Sequence, residues 1–334
     1  MYTNIVKSTI KIAATAVLGL GLVGGTNLLA DDYPTKKPVN MVVGFGIGGS
    51  ADRMTRSMTT FLSDELDTRV KVVNKKGAGT QIAANYVLRK PADGYTVFAS
   101  TFAPYLANTI LSGNAKYQMT DFDFLNIQWF DFELFALNKN SKYNNMLEVI
   151  EAIKNKPKTV KAAVVQGSGG HLMLKLLLEK FDIPQENLNL VTYSSGGKAR
   201  TAVAGGQVDL IAISAQGSES IREFIKPIAI VKDEKMKQWD APTLNEAISS
   251  SGIKLPVFSG SMRGFAVPVT FKEKYPERYT KLVDGIKRTL ANKGVQKFLK
   301  KNDIGYTWSG PEQSNKLIQE SFEIFKSYSY LLKK

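Results

Sequence analysis

The chain has no cysteine and only one histidine, His171, in 334 residues. The first absence excludes a disulfide framework, a thiolate metal site and a lipid-modified cysteine. The second leaves no clustered nitrogen ligands for a transition metal, so neither metal nor cofactor is expected. Long apolar runs are missing as well: the longest, from Ile12 to Val23, falls short of the roughly 20 residues that span a bilayer. Because it follows Lys7 and Lys11 and precedes Leu28-Leu29-Ala30, residues 1–30 read as a secretory signal peptide cut after Ala30. The expected product is a free periplasmic protein of a Gram-negative cell. The formal net charge of +14 drops to +12 when those two lysines leave with the signal peptide. Basic residues are interspersed with acidic ones and form no long run, so the surplus argues against a nucleic-acid partner and is compatible with an anionic solute.

What the chain does have is glycine in informative places. In VNMVVGFGIGGSADRMTRSM, residues 39–58, a short apolar run breaks into a glycine-rich loop ahead of a helical pattern. Val39, Met41, Val42 and Val43 predict a buried strand, Ser50 an N-cap, and Met54, Met58, Phe61 and Leu62 a helix face. N–H groups at a helix start are unpaired and the dipole there is positive, so such a loop can hold a carboxylate or phosphate without a charged side chain.

Strand and helix signals then alternate. RVKVVN precedes GAGTQIAANYVLRK and ADGYTVFAST; later VKAAVV, LNLVTY and QVDLIAIS each precede a helical segment, that after QVDLIAIS being SESIREFI, and KPIAIV follows. Such βα units imply parallel, doubly wound sheets. Two sets of them, each opening with a glycine turn, predict an α/β protein with the two-lobed periplasmic solute-binding fold and a ligand cleft between the lobes. The expected division is 31–131 plus 264–334 for lobe 1 and 132–263 for lobe 2. Two amphipathic stretches, YTKLVDGIKRTLANKGVQKFLKK and EQSNKLIQESFEIFKSYSYLL, should pack back on the first lobe. In open α/β sheets ligands sit beyond the carboxyl ends of strands. The loops at 44–52, 99–105, 166–171, 193–198 and 214–218 should therefore line the cleft. Ser100, Thr101, Tyr193, Ser194 and Ser195 offer hydroxyls there; each has the alternative of bonding local backbone or, for Tyr193, of packing in the core.

These residues resemble a known family, the extracytoplasmic solute receptors of tripartite tricarboxylate transporters, also called TctC or Bug proteins. The likeness covers nearly the whole exported chain. It rests on Phe45, Gly48, Gly49, Asp52 and Arg56; on Val72, Asn74, Gly77, Ala78 and Gly79; and on Pro91, Asp93, Gly94, Tyr95 and Thr96. GSGGHLM, the Tyr193–Gly197 stretch, GGQVDL, APTLNEA and the segment from Arg263 to Pro268 follow in the expected order. The resemblance implies a receptor that closes on a small carboxylate and delivers it to one large and one small integral membrane subunit. It also implies a grip formed by Phe45, Gly48, Gly49, Ser50, Ala51 and Asp52 on one side and by Gly167, Ser168, Gly169, Gly170 and His171 on the other. Departures are Gly44 and Ile47, where the family commonly has proline, and Thr80, where it commonly has glycine. Asp52 either touches a ligand or ties the loop backbone; Arg56, one turn on, is expected to pair with it. His171 is expected near the ligand, its alternative being to order the loop.

Enzyme patterns fail in turn. Gly44-x-Gly46-x-x-Gly49 lacks the acid that a dinucleotide fingerprint needs after the second strand, where Asn74 stands. Ser195-Gly196-Gly197-Lys198 has no accompanying K-T-G, and there is no G-x-S-x-G. No orienting acid is indicated for a triad through His171. The reading is therefore a monomeric receptor, not an enzyme, that binds a di- or tricarboxylate, an acidic amino acid or an aromatic acid. Two opposed helix starts would hold a dicarboxylate at both ends. A ligand-sensing receptor for a membrane signalling protein is the alternative, and an exported hydrolase a remoter one.

Overall fold

Strand β1 (Val39–Val43) is buried along its length apart from Asn40, as a strand covered on both faces must be. It runs parallel to β2 (Val70–Asn74) on one side and β3 (Thr96–Ala103) on the other. The computed structural model describes residues 32–113, 115–258 and 260–332. The expected signal peptide lies outside the described residues.

The first sheet is completed by β4 (Phe122–Phe130) and β10 (Met262–Pro268), in the order β2-β1-β3-β10-β4. The second contains β5 (Glu133–Asn138), β6 (Lys161–Val165), β7 (Asn189–Tyr193), β8 (Leu210–Ser214) and β9 (Ile225–Ile230), in the order β7-β6-β8-β5-β9. This is the two-lobed α/β fold, but its sheets are mixed rather than parallel. β10 is antiparallel to β3 and β4, and β5 is antiparallel to β8 and β9. The reason is topological: each reversed strand is the one the chain enters directly after crossing between sheets, not through a βα unit. The outward crossing consists of Asp131 and Phe132 alone, and the return passes Gly260, where a Cβ would lie 2.2 Å from the Asp131 carbonyl oxygen. The two crossings press together, and only glycine permits it.

Helices α1 (Ser50–Leu66), α2 (Gln81–Leu88) and α3 (Tyr105–Leu111) belong to the first half. α4 (Met146–Asn155), α5 (Gly169–Lys180), α6 (Gly196–Ala204) and α7 (Leu244–Ala247) belong to the second. α1 buries Met54, Met58, Leu62 and Leu66 at four-residue spacing, each burial stabilising by about 1.5–3 kcal/mol. Its N-cap is Gly49 rather than the expected Ser50, which is the first helical residue. SESIREFI forms no α-helix, but a 3-10 segment at Glu219–Phe224.

After α8 (Val269–Lys274), the first C-terminal amphipathic stretch is two helices, α9 (Pro276–Ala291) and α10 (Lys293–Lys301). They break at Asn292, whose side chain accepts from the Gly294 and Val295 amides and so starts a new helix. α9 packs on α1, and α11 (Gly310–Ser327) packs on β4, where Ser314 Oγ accepts from the Ile127 N–H. Beyond α11 the chain reaches α5: Lys175 Nζ donates to the Leu331 carbonyl and the Tyr330 hydroxyl to Glu179. One apolar cluster runs through both halves, joining Phe98, Phe102 and Phe124 to Phe135, Leu172 and Leu176.

Candidate functional site

The loop after β1 is held from within. Gly48, at φ +81°, donates its N–H to Asp52 Oδ2 at 2.9 Å, and the Gly49 N–H reaches the Gly46 carbonyl at 3.2 Å. Arg56 Nε donates to the same Asp52 oxygen at 2.9 Å, and Asn74 Nδ2 to the other at 2.8 Å. Burial alone would raise the Asp52 pKa, but donors from Arg56, Asn74 and Gly48 outweigh it and hold the carboxyl below its ordinary value. Asp52 and Arg56 thus brace the loop, and the Gly48 and Gly49 amides are spent on it. The amides of Ser50, Ala51 and Asp52, at the start of α1, have no acceptor within the helix. Phe45 stands edge-on to Tyr105, 5.1 Å between ring centres.

The second glycine loop is ordered in the same way. Ser168 caps α5 by accepting the His171 N–H at 3.1 Å, while the Gly167 N–H donates to His171 Nδ1 at 3.2 Å. Nδ1 is therefore an acceptor and the imidazole neutral; burial, aided by Lys175, pushes its pKa down to about 4. His171 orders the loop. Across the cleft, Asn108 Nδ2 of α3 donates to the Gly167 carbonyl, joining the two halves.

Other expected residues divide. Ser100 is fully buried and bonded to Thr80 Oγ1 at 2.8 Å, which makes it part of the first lobe's interior rather than of the cleft wall. Thr101 is 4% exposed and pairs in the ladder with Arg263. Tyr193 is half-buried against the core of the second sheet, with Ser194 and Ser195 exposed beside it.

The structure adds a charged cluster that sequence reasoning missed. Arg263, 2% exposed, donates from Nε to Ser50 Oγ at 2.7 Å and from Nη2 to Asp131 Oδ2 at 3.0 Å. Its guanidinium lies 4.8 Å from the ring centre of Trp129. The other Asp131 oxygen accepts from the Phe132 and Gln216 amides. One carboxylate thus links the start of β10, the outward crossing and the loop after β8. Arg200 clasps that loop through Ser218 Oγ and the Ser214 and Gln216 carbonyls. Glu133 is 1% exposed and neither of its carboxyl oxygens has a hydrogen-bond partner. Burial, then the Asp131 charge, pushes its pKa up to about 8, against the pull of Arg263, the Gly170 amide and Arg200. The Gly170 amide acts on it without reaching hydrogen-bond geometry. The Tyr105 hydroxyl, raised by burial, feels Glu133, Arg263, Arg200 and Asp131 together. A signal existed: Asp131 and Glu133 interrupt the apolar run from Trp129 to Leu137, where acids are out of place unless they serve a buried site.

Two five-stranded lobes, joined by paired crossings and facing each other with glycine-loop helix starts, define a solute-binding protein of the periplasmic type. The chain belongs to the tripartite tricarboxylate transporter family of receptors, TctC, whose family model matches residues 54–328. It is a receptor and not an enzyme. BugT of Bordetella pertussis is 28% identical over 227 residues, 65% of this chain and 67% of that protein. Among solved structures, a protein of R. palustris with adipate superposes with a TM-score of 0.74 at 20% identity, covering 90% of this chain and 98% of that one. MatC from Rhodopseudomonas palustris with bound malate gives 0.73 at 23%, covering 88% and 99%. Among the described residues no helix is long and apolar enough to cross a membrane.

Proposed function

We propose that this receptor captures a small organic carboxylate between its lobes and presents the closed form to one large and one small membrane subunit of a tripartite transporter. The observation that carries the reading is the start of α1, where the Ser50 hydroxyl accepts from Arg263 Nε beside the helix's unpaired first amides and Arg263 Nη1 is buried and unbonded. Unpaired amides, a helix dipole and a fixed cation form an anion site, and each charge-assisted hydrogen bond contributes about 1.5–3 kcal/mol. Three such bonds contribute about 4.5–9 kcal/mol against the roughly 8 kcal/mol of a micromolar complex, so burial of the ligand body on closure must offset the ordering costs. The adipate and malate in the two similar structures support a carboxylate here too. The Asn108–Gly167 bond gives the closed form a contact of its own. The expected grip at both helix starts is revised: Glu133 occupies the start of α5, so the first carboxylate belongs at α1. The chain is exported by its signal peptide, cut after Ala30, and works as a monomer. Its lobes are 31–131 with 264–334, and 132–263, except that Met262 and Arg263 pair in the first sheet.

The test is thermal unfolding of the exported chain, stripped by denaturation and refolding, against mono-, di- and tricarboxylates, amino acids and aromatic acids. A ligand at a hundred times its Kd adds about 2.7 kcal/mol, a rise of a few degrees. A selective rise supports the reading; a flat panel rejects it.

A further inference from the structure

Glu133 and Arg263 are a buried acid and a buried base that no hydrogen bond joins to each other. Both side chains are almost wholly buried, at 1% and 2% exposure, yet both Glu133 oxygens and Arg263 Nη1 lack a hydrogen-bond partner. Buried polar atoms are nearly always paired, and leaving one charged group unpaired costs more than a neutral one. Asp131, which holds Arg263 Nη2 at 3.0 Å, stands two residues before Glu133, so the chain brings the acid and the base to one region. The Glu133 carboxyl lies on the start of α5: an oxygen sits 2.6 Å from where a Cβ on Gly169 would be. The chain's own acid thus fills the place where a second ligand carboxylate would go.

We propose that the cleft is built for an amino-acid zwitterion, its carboxylate on Arg263 and the first amides of α1 and its ammonium group on Glu133. This rests on the carboxylate-receptor reading and narrows it. The ammonium supplies the hydrogen bonds that the two Glu133 oxygens lack, and the carboxylate supplies the one that Nη1 lacks. The groups set around Glu133 are Asp131 from the crossing, Arg263 from β10, Arg200 from α6, Tyr105 from α3 and the Gly170 amide from α5. With its acid pushed up to about 8 in the empty cleft, Glu133 ionises when the ammonium arrives and releases a proton near neutral pH.

The experiment is titration calorimetry on the refolded exported chain with matched ligands: L-aspartate, L-malate and succinate; L-glutamate and glutarate; L-leucine and 4-methylpentanoate; L-phenylalanine and 3-phenylpropionate. In at least one set the amino member binds about tenfold or more tightly than its deaminated partner, the effect of one charge-assisted contact. Glu133→Gln removes that preference, the amino member losing about tenfold or more relative to its deaminated partner. Buffers of differing ionisation enthalpy show up to about one proton released by the wild type and none by the variant. Equal binding by deaminated members, tighter binding by the hydroxy acid, or a preference that survives in Glu133→Gln overturns the proposal while the receptor reading stands. If no carboxylate of any set binds, the proposal falls, and the unfolding panel with its tricarboxylates decides the receptor reading.

Discussion

Two of the three departures from the family pattern, Gly44 and Thr80, are one event in three dimensions, and a double-mutant cycle tests this. A Cβ on Gly44 would lie 1.9 Å from Thr80 Oγ1 and 2.7 Å from Ser100 Oγ. Gly44 therefore accommodates Thr80, and a family member with a side chain at the first position needs glycine at the second. Gly44→Ala forces the Thr80–Ser100 pair apart in a fully packed region, an overpacking cost of about 1–3 kcal/mol. Thr80 sits at φ +79°, a left-handed conformation that costs a β-branched residue about 1–3 kcal/mol. Thr80→Gly relieves that strain and gives up one hydrogen bond to Ser100, about 0.5–1.5 kcal/mol, so alone it lies near neutral. With Oγ1 gone, Ser100 can rotate and the methyl introduced by Gly44→Ala fits. Urea unfolding of the wild type, both single variants and the double variant should show a favourable coupling of about 2 kcal/mol. Additivity within about 0.5 kcal/mol would refute the steric argument, as would a Gly44→Ala protein as stable as the wild type.

Three further outcomes follow from the same geometry. Glu133 has a folded pKa raised to about 8 from an unfolded value of 4.5, so the folded state holds the extra proton and stability falls as pH rises between those values; in Glu133→Gln, urea midpoints measured from pH 5 to 8 should lose that part of the decline. His171 is the opposite case: its folded pKa of about 4 lies below the ordinary 6.5, so the unfolded state takes up the proton first and stability falls on acidification from 6.5 toward 4. His171→Gln should flatten this acid limb, and an unchanged limb would show that the imidazole is not held neutral. Asp52→Ala leaves Gly48 and Asn74 without their acceptor in a place of 1% exposure and should cost about 1–3 kcal/mol by urea unfolding, with local loss of amide protection in residues 46–50.

Much of the scaffold was readable because local patterns dictated it. Glycine loops between β-branched runs and four-residue apolar spacing announced β1, α1, β6 and α5, and the strands that line the cleft followed by repetition. The reversed strands were not readable in that way. β5 and β10 obey no βα grammar, since their direction is set by two crossings that press together although Asp131 and Gly260 lie more than a hundred residues apart in the sequence. The Ser50 assignment failed for a related reason: it is a good cap by composition, but Arg263, 213 residues away, holds its hydroxyl. The glycines and His171 were found at the loops, yet much of their hydrogen bonding proved internal. The charged cluster of Asp131, Glu133, Arg200 and Arg263 gathers from three separate segments, so only the folded chain brings it together.

The most direct measurement is a crystal structure of the refolded receptor with the tightest carboxylate of the unfolding panel bound. A ligand carboxylate should lie about 3 Å from Arg263 Nη1 and the amides that open α1. A carboxylate bound away from Arg263, or gripped only at the start of α5 with Glu133 displaced, would contradict the assignment of α1 and Arg263 as the anion site.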